Sequence, residues 1–155
     1  MSSPLWPLSF KASEHFKVSD FNCNDTAGTP YPPDKIMTVL LPFCLTILEV
    51  IRTYVASDRP IIVLSGYRTP EWNEHEGGAP DSRHIHGDAA DIWCPSLGLT
   101  AGPELYLAVL SLHRAGCLPR LGGLGRYSNR IHVDTRPHSA GTLSTWDNVA
   151  IGTRG

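Results

Sequence analysis

The segment from Ser82 to Asp91 constrains this chain more than any other stretch. It contains a histidine, His84, and an aspartate, Asp91, seven positions later, with glycine and alanine between them. A neutral imidazole nitrogen and a carboxylate oxygen are common zinc ligands, and a catalytic zinc site has three protein ligands and one open position. The segment therefore predicts two ligands of one metal ion, and we expect a third ligand elsewhere in the chain.

A strand is predicted within this segment. We interpret residues 88–94 as the strand, in which side chains alternate between the two faces. Asp91 then shares a face with Ala89, whose small side chain leaves room for a metal ion. His86 lies two residues after His84 and is an alternative ligand.

The third ligand is predicted in a hairpin near the carboxyl end of the chain. Residues 121–127 and 130–136 are predicted to form the two strands of a hairpin around a Ser128–Asn129 turn. In the second strand His132 and Asp134 share one face. His132 is therefore the candidate for the third ligand.

Hydrophobic periodicity predicts the remaining elements. The first predicted segment, residues 9–33, wraps around the core and contains one short helix near Ser19 and Asp20. A main buried helix over residues 34–56, an interior strand over residues 61–64 and a polar loop over residues 69–80 are expected next. A second core helix from Thr100 to Gly116 and a loop-like tail from Pro137 are expected at the carboxyl end. Pro42 lies inside the main helix, where a proline either kinks the helix or begins a new one. The sequence leaves both alternatives open.

Length and charge limit the possible partners. The chain has 155 residues, which suits one domain, and we expect a single domain over residues 1–155 with its core at about 13–136 and a tail at 137–155. The net charge of -2 argues against nucleic acid or an anionic membrane as the primary partner. No apolar run reaches the roughly 18 residues of a membrane span, and no secretory signal is visible, so we expect no membrane insertion. We expect a monomer.

The cysteines are widely spaced and form no C-x-x-C pair. They are Cys23, Cys44, Cys94 and Cys117. We interpret them as small buried hydrophobic residues, with a disulfide in an oxidising compartment as the alternative.

Three motifs occur in a fixed order along the chain: Ser-Gly-Tyr-Arg at residues 65–68, Ser-x-His-x-x-Gly-x-Ala-x-Asp at residues 82–91, and His-x-Asp at residues 132–134. With these motifs the chain resembles the M15 family of zinc D-Ala-D-Ala peptidases, and within it the compact YcbK-like branch. The resemblance covers residues 13–136.

The resemblance implies an α+β fold of the Hedgehog/DD-peptidase type, with a small antiparallel sheet and flanking helices. It implies zinc bound by His84, Asp91 and His132. It also implies hydrolysis of peptide bonds next to D-amino acids in peptidoglycan stem peptides, by a carboxypeptidase or an endopeptidase acting on the cell wall. The location of such an enzyme is periplasmic, extracellular or, for an endolysin, phage-released.

Two charged residues are candidates for catalysis. Arg68 follows a predicted strand, and its guanidinium is suited to an oxyanion or to a substrate carboxylate. Several members of the family carry a glutamate three residues before the third ligand, but Asn129 occupies that position here. Asp134, on the face of His132, is the first candidate for the general base, and a role in orienting a ligand histidine is the alternative.

Other residues near the motifs are candidates for lesser roles. Glu71, Glu74 and Glu76 are further candidates for the base. Three residues are candidates for substrate binding: Ser82, Tyr67 and Asn73. The alternative for Ser82 is a hydrogen bond within the motif, and the alternative for Tyr67 and Asn73 is that they close the loop. The missing glutamate leaves a second function open, a non-catalytic zinc-stabilised module that binds murein or a protein.

Overall fold

A five-stranded sheet forms the centre of the fold. The computed structural model describes residues 7–55, 59–138 and 142–148, apart from the side chains of residues 98–101. The strands are β1 (Lys11–Ser13), β2 (Phe16–Lys17), β3 (Ile62–Ser65), β4 (Ala89–Trp93), β5 (Gly123–Arg126), β6 (Ile131–Asp134) and β7 (Ser144–Asp147). The central sheet has the order β3-β4-β6-β5-β7, and all its neighbours are antiparallel except β5 and β7. The α+β class is confirmed, although the central sheet is mixed and only the separate β1-β2 sheet is small and antiparallel.

The main buried helix is confirmed as a helix from Pro33 to Val55. It continues through Pro42, which lies between π-helical turns at Ile36–Leu40 and Cys44–Leu48. Proline has no N–H, so the normal i→i−4 bond is missing at this position, and wider turns accommodate the gap.

This helix is long and apolar enough, by length and composition alone, to cross a membrane. In the fold, its buried side chains contribute to the hydrophobic core that also includes one face of the central sheet and the helix Ala101–Arg114. Leu40, Ile47 and Ile51 are fully buried there. The second predicted core helix is confirmed as the helix Ala101–Arg114. Gly116, with a φ of 83°, follows its end.

The strand at residues 61–64 was predicted to be interior, and this prediction is wrong. Strand β3 lies at one edge of the central sheet, and within the described residues its one partner is β4. Ile62 and Leu64 consequently remain 38% and 36% exposed. A short apolar β-branched run suits a strand, but it does not distinguish an edge from a centre.

The predicted loop at residues 69–80 contains a helix, Pro70–His75, so that prediction is wrong in its first half. The Thr69 hydroxyl caps the helix by accepting a hydrogen bond from the Trp72 backbone N–H at 3.1 Å, and Pro70 occupies the first turn.

The two ends of the described chain contain strands where loop was expected. The leading segment has the predicted short helix, at Val18–Phe21, but it also forms the β1-β2 pair. The predicted loop-like tail contains β7, and its remaining residues 139–141 and 149–155 lie outside the described part. The four cysteines are free, and Cys23, Cys44 and Cys94 are buried, as the reading as small hydrophobic residues predicts.

Candidate metal centre

One row of residues across the central sheet carries the candidate site. In the strand register Ser65 lies opposite Asp91, Asp91 opposite His132, His132 opposite Gly125, and Gly125 opposite Trp146. Side chains in such a row project from the same face of the sheet. The alternation predicted from the sequence thus places Asp91 and His132 side by side.

The structure brings the three predicted ligands together. One potential ligand atom from each of His84, Asp91 and His132 lies within 4.8 Å of the other two. Asp91 Oδ1 lies 3.2 Å from His84 Nε2 and 3.1 Å from His132 Nδ1. All three residues are at most 1% exposed. Two imidazole nitrogens and one carboxylate oxygen that converge in this way form a donor set that fits zinc.

His84 is fixed by its helical turn and by one backbone contact. Ser82 caps the turn Arg83–His86, because its hydroxyl accepts a hydrogen bond from the His84 backbone N–H at 3.3 Å. His84 Nδ1 lies 2.7 Å from the carbonyl oxygen of Gly66. A carbonyl only accepts, so Nδ1 carries the proton and donates it, and Nε2 is left as the ligand atom. Burial lowers the pKa of His84, which favours the neutral form that a metal requires.

His132 is held from the side opposite Asp91. Its Nε2 lies 2.7 Å from Asp134 Oδ2, while its Nδ1 faces Asp91. Asp134 also accepts hydrogen bonds from the Arg136 backbone N–H at 2.9 Å and from the Arg136 Nη2 at 2.6 Å. Burial raises the pKa of Asp134, but the hydrogen bonds from His132 and Arg136 outweigh it and hold the pKa well below its usual value. Asp134 therefore remains ionised and contacts the nitrogen of His132 that faces away from the candidate metal position.

Arg68 lies behind the ligand carboxylate. It is 1% exposed, and its Nη2 donates to Asp91 Oδ2 at 3.4 Å. Its Nε donates to Ser65 Oγ and its Nη1 to Asn73 Oδ1, both at 3.2 Å. Asn73 is itself buried and donates to the carbonyl of Ala79 at 2.8 Å. Arg68 and Asn73 thus form a support for Asp91 beneath the surface.

The other candidates lie away from the three ligands. Tyr67 packs edge-on against Tyr31, with ring centroids 6.1 Å apart. His86 pairs with Asp81 at 2.8 Å instead of joining the ligand group. Asn129 is exposed at the hairpin turn.

The three glutamates at residues 71–76 lie on or directly after the helix Pro70–His75. Glu71 and Glu74 are exposed on the Pro70–His75 helix, and Glu76 is half-buried at its end. Within the described chain, no ligand atom of these three residues joins the ligand group.

A cleft of about 270 Å³ opens beside His132. Its lining consists of Ala79, Asp81, Ser82, Arg83, His132, Arg136 and Trp146. Arg83, Arg136 and Trp146 were not predicted from the sequence as site residues. The position of Arg136 near the site could have been predicted, because it continues the strand alternation of His132 and Asp134. The sequence around Trp146, a Gly/Ser/Thr-rich tail, contains no such pattern.

Trp146 forms one wall of this cleft. Its ring centroid lies 5.1 Å from that of His132, and the Arg136 guanidinium lies 5.0 Å from the Trp146 ring centroid. Gly125 makes room for the indole, because a Cβ at this position would lie 2.3 Å from Trp146 Nε1.

The fold and this buried His-Asp-His group define a metal-binding domain with an adjoining cleft. Residues 14–134 match the family model described as Peptidase M15, and the chain belongs to the peptidase M15 family. It is also 42% identical over 48 residues to the zinc D-Ala-D-Ala carboxypeptidase of Streptomyces albus G. That match spans 31% of this chain and 19% of the relative's length, so the chain covers about a fifth of that protein.

Proposed function

We propose that this chain is a zinc metallopeptidase that hydrolyses peptide bonds next to D-amino acids in peptidoglycan stem peptides. It would act on the cell wall as a monomer. The observation that carries the proposal is the convergence of His84, Asp91 and His132 within 4.8 Å, in a chain of the peptidase M15 family. The activity for which the Streptomyces albus G relative is named supports the choice of substrate.

In this proposal His84, Asp91 and His132 hold the zinc ion. When bound, zinc supplies a Lewis acid that polarises a carbonyl oxygen and acidifies a coordinated water. Arg68 fixes Asp91 through its contact at 3.4 Å, and it keeps positive charge close to the site where negative charge would develop.

Asp134 orients His132 in this proposal. Its contact with Nε2 at 2.7 Å leaves Nδ1 as the ligand atom, and such partners of metal-bound histidines fix both ring orientation and tautomer. Because Asp134 contacts the nitrogen of His132 that points away from Asp91 and the candidate metal position, it is a weaker candidate for the general base. Asp81 is the carboxylate residue that lines the cleft, and it becomes the second candidate for proton transfer.

Metal analysis combined with digestion of purified sacculi tests the proposal. We expect one zinc ion per chain and release of peptide fragments or D-alanine from sacculi, and both should be lost in His132→Ala. His113→Ala is the matched control, since His113 lies on the Ala101–Arg114 helix outside the ligand group. The proposal fails if zinc-soaked wild-type protein holds no metal, or if zinc-loaded protein releases nothing.

A second function is favoured by Asn129, which stands where several family members have a glutamate. The chain would then be a zinc-stabilised module that binds murein or a protein without cleaving it. In that case zinc would raise the melting temperature and the protein would sediment with sacculi, but no fragment would be released.

A further inference from the structure

We propose that Arg83 and Arg136 form a carboxylate-binding subsite in the cleft beside His132. The preferred substrate would then carry a free carboxylate next to the scissile bond, as at a peptide carboxyl terminus. This inference rests on the proposed peptidase function and names the feature of the substrate that the cleft recognises.

Both arginines are held rigidly by buried carboxylates. Arg83 donates to Asp88 through Nε at 3.0 Å and through Nη2 at 2.8 Å. Arg136 donates to Asp134 in the same fashion, through Nε at 3.0 Å and Nη2 at 2.6 Å. These two-point contacts leave the Nη1 group of each guanidinium outside the ion pair. A guanidinium fixed in this way loses little side-chain freedom when it binds an anion.

The positive groups are nearer the solvent than their partners. The side chains of Arg83 and Arg136 are 22% and 32% exposed, whereas those of Asp88 and Asp134 are 9% and 0% exposed. Asp81 is the acidic residue in the cleft lining, and its carboxylate is 90% exposed and paired with His86. An anion that enters the cleft therefore meets the guanidinium groups before it meets the buried carboxylates.

An apolar wall lies next to the cationic groups of the cleft. The cleft, of about 270 Å³, has room for a terminal residue, and the indole of Trp146 offers an apolar surface to an aliphatic side chain. The Arg136 guanidinium lies 5.0 Å from the centroid of this indole, so the cationic and apolar groups are adjacent. A residue with an aliphatic side chain and a free carboxylate matches both features.

Binding of a matched ligand pair tests the subsite separately from catalysis. N-acetyl-D-alanine and N-acetyl-D-alaninamide differ only in the carboxylate, and neither has a peptide bond between two amino acids. Their dissociation constants are to be measured by NMR titration of the zinc-loaded full chain, for wild type, Arg83→Gln, Arg136→Gln and the control Arg114→Gln. Arg114 ends the Ala101–Arg114 helix and does not line this cleft.

We expect wild type and Arg114→Gln to bind the acid about 10- to 100-fold more tightly than the amide, as charge-assisted hydrogen bonds provide. Arg83→Gln should lose about 10-fold of that preference while its zinc content stays unchanged. Arg83→Lys provides a charged substitute if the glutamine variant fails to fold, and it should recover part of the preference. Because Arg136 also contacts Asp134, Arg136→Gln should lower both the preference and the zinc affinity.

An acid-to-amide ratio near one in wild type would overturn the proposal, and so would a ratio that neither arginine variant changes. The peptidase assignment has its own readout, which is hydrolysis of a D-Ala-D-Ala peptide by the same zinc-loaded protein. If the acid is preferred but no peptide is cleaved, the subsite stands and the peptidase function fails.

Discussion

Replacing Asp134 by asparagine separates two roles for this carboxylate. The substitution keeps the side-chain shape but removes the charge, and the amide offers one oxygen in place of two. In the wild type the carboxylate contacts His132 Nε2 at 2.7 Å and accepts from Arg136 Nη2 at 2.6 Å. Both of these contacts are made by Oδ2, while Oδ1 accepts from the Arg136 backbone N–H at 2.9 Å. An asparagine that turns its oxygen toward His132 places its NH₂ group against that backbone N–H, and the opposite orientation presents the NH₂ group to His132 Nε2. His132 loses its charged partner in either case and is held less firmly.

The size of the effect follows from the hydrogen bonds that are lost. Loss of a carboxylate that orients a ligand histidine lowers metal affinity by about 10- to 100-fold, or about 1.4 to 2.8 kcal/mol. The weakened charge-assisted bonds of a fully buried carboxylate reduce the free energy of unfolding by about 2 to 3 kcal/mol. For a domain of this length that corresponds to a fall of about 5 to 10 °C in melting temperature.

Three quantities are to be measured for each variant. They are zinc affinity by chelator competition, melting temperature by circular dichroism, and the rate of hydrolysis at saturating zinc. Asp88→Asn is the matched control, because Asp88 also receives an arginine pair and the Thr135 hydroxyl, yet it contacts none of the three ligands. This control should lose stability and keep wild-type zinc affinity.

If Asp134 orients His132, saturating zinc restores most of the hydrolysis in Asp134→Asn. Unchanged zinc affinity together with complete loss of hydrolysis would refute this reasoning.

Two further predictions concern the cleft wall and the dependence of stability on pH. Gly125→Ala would bring a Cβ to 2.3 Å from Trp146 Nε1, so we expect the indole to be displaced, a change in tryptophan fluorescence and a loss of about 1 to 3 kcal/mol in the free energy of unfolding. Burial raises the pKa of Glu49, but hydrogen bonds from the Ser13 hydroxyl at 2.6 Å and the His15 backbone N–H at 2.8 Å outweigh it and lower the pKa. The stabilisation by Glu49 is therefore complete above its unfolded-state pKa of about 4.3 and is lost as the pH falls through the lower folded value. Urea unfolding should show Glu49→Gln less stable than wild type at pH near 7 and the difference shrinking below about pH 4.

Unchanged fluorescence and stability in Gly125→Ala would contradict the close contact at the cleft wall. A difference between Glu49→Gln and wild type that stays constant from neutral to acidic pH would contradict the assigned pKa shift.

The placement of the ligand group could be predicted because it follows from local rules. Strand alternation puts His132 and Asp134 on one face, and the antiparallel register then aligns His132 with Asp91. The helix at Pro70–His75 was also within reach, since Thr69 followed by Pro70 is a typical helix start. The polar, glycine-rich stretch after it led to the prediction of a loop.

The rest of the site depends on long-range pairing, which local patterns do not encode. Nothing in residues 137–155 predicts a strand, and β7 is formed only because β5 provides a parallel partner. The edge position of β3 likewise depends on which strands pair elsewhere. The positions of Arg83 and Trp146 in the cleft lining could not be predicted, because the cleft exists only in the assembled sheet.

The strand β7 lies beyond the residues that match the family model, which end at residue 134. Metal binding is encoded before this point, whereas Arg136 and Trp146 come after it. Exchange of the segment after residue 134 between relatives would therefore change two residues of the cleft lining, Arg136 and Trp146, while the three metal ligands remain in place. Part of the cleft wall can thus vary independently of the ligand residues, although Arg136 remains linked to His132 through Asp134.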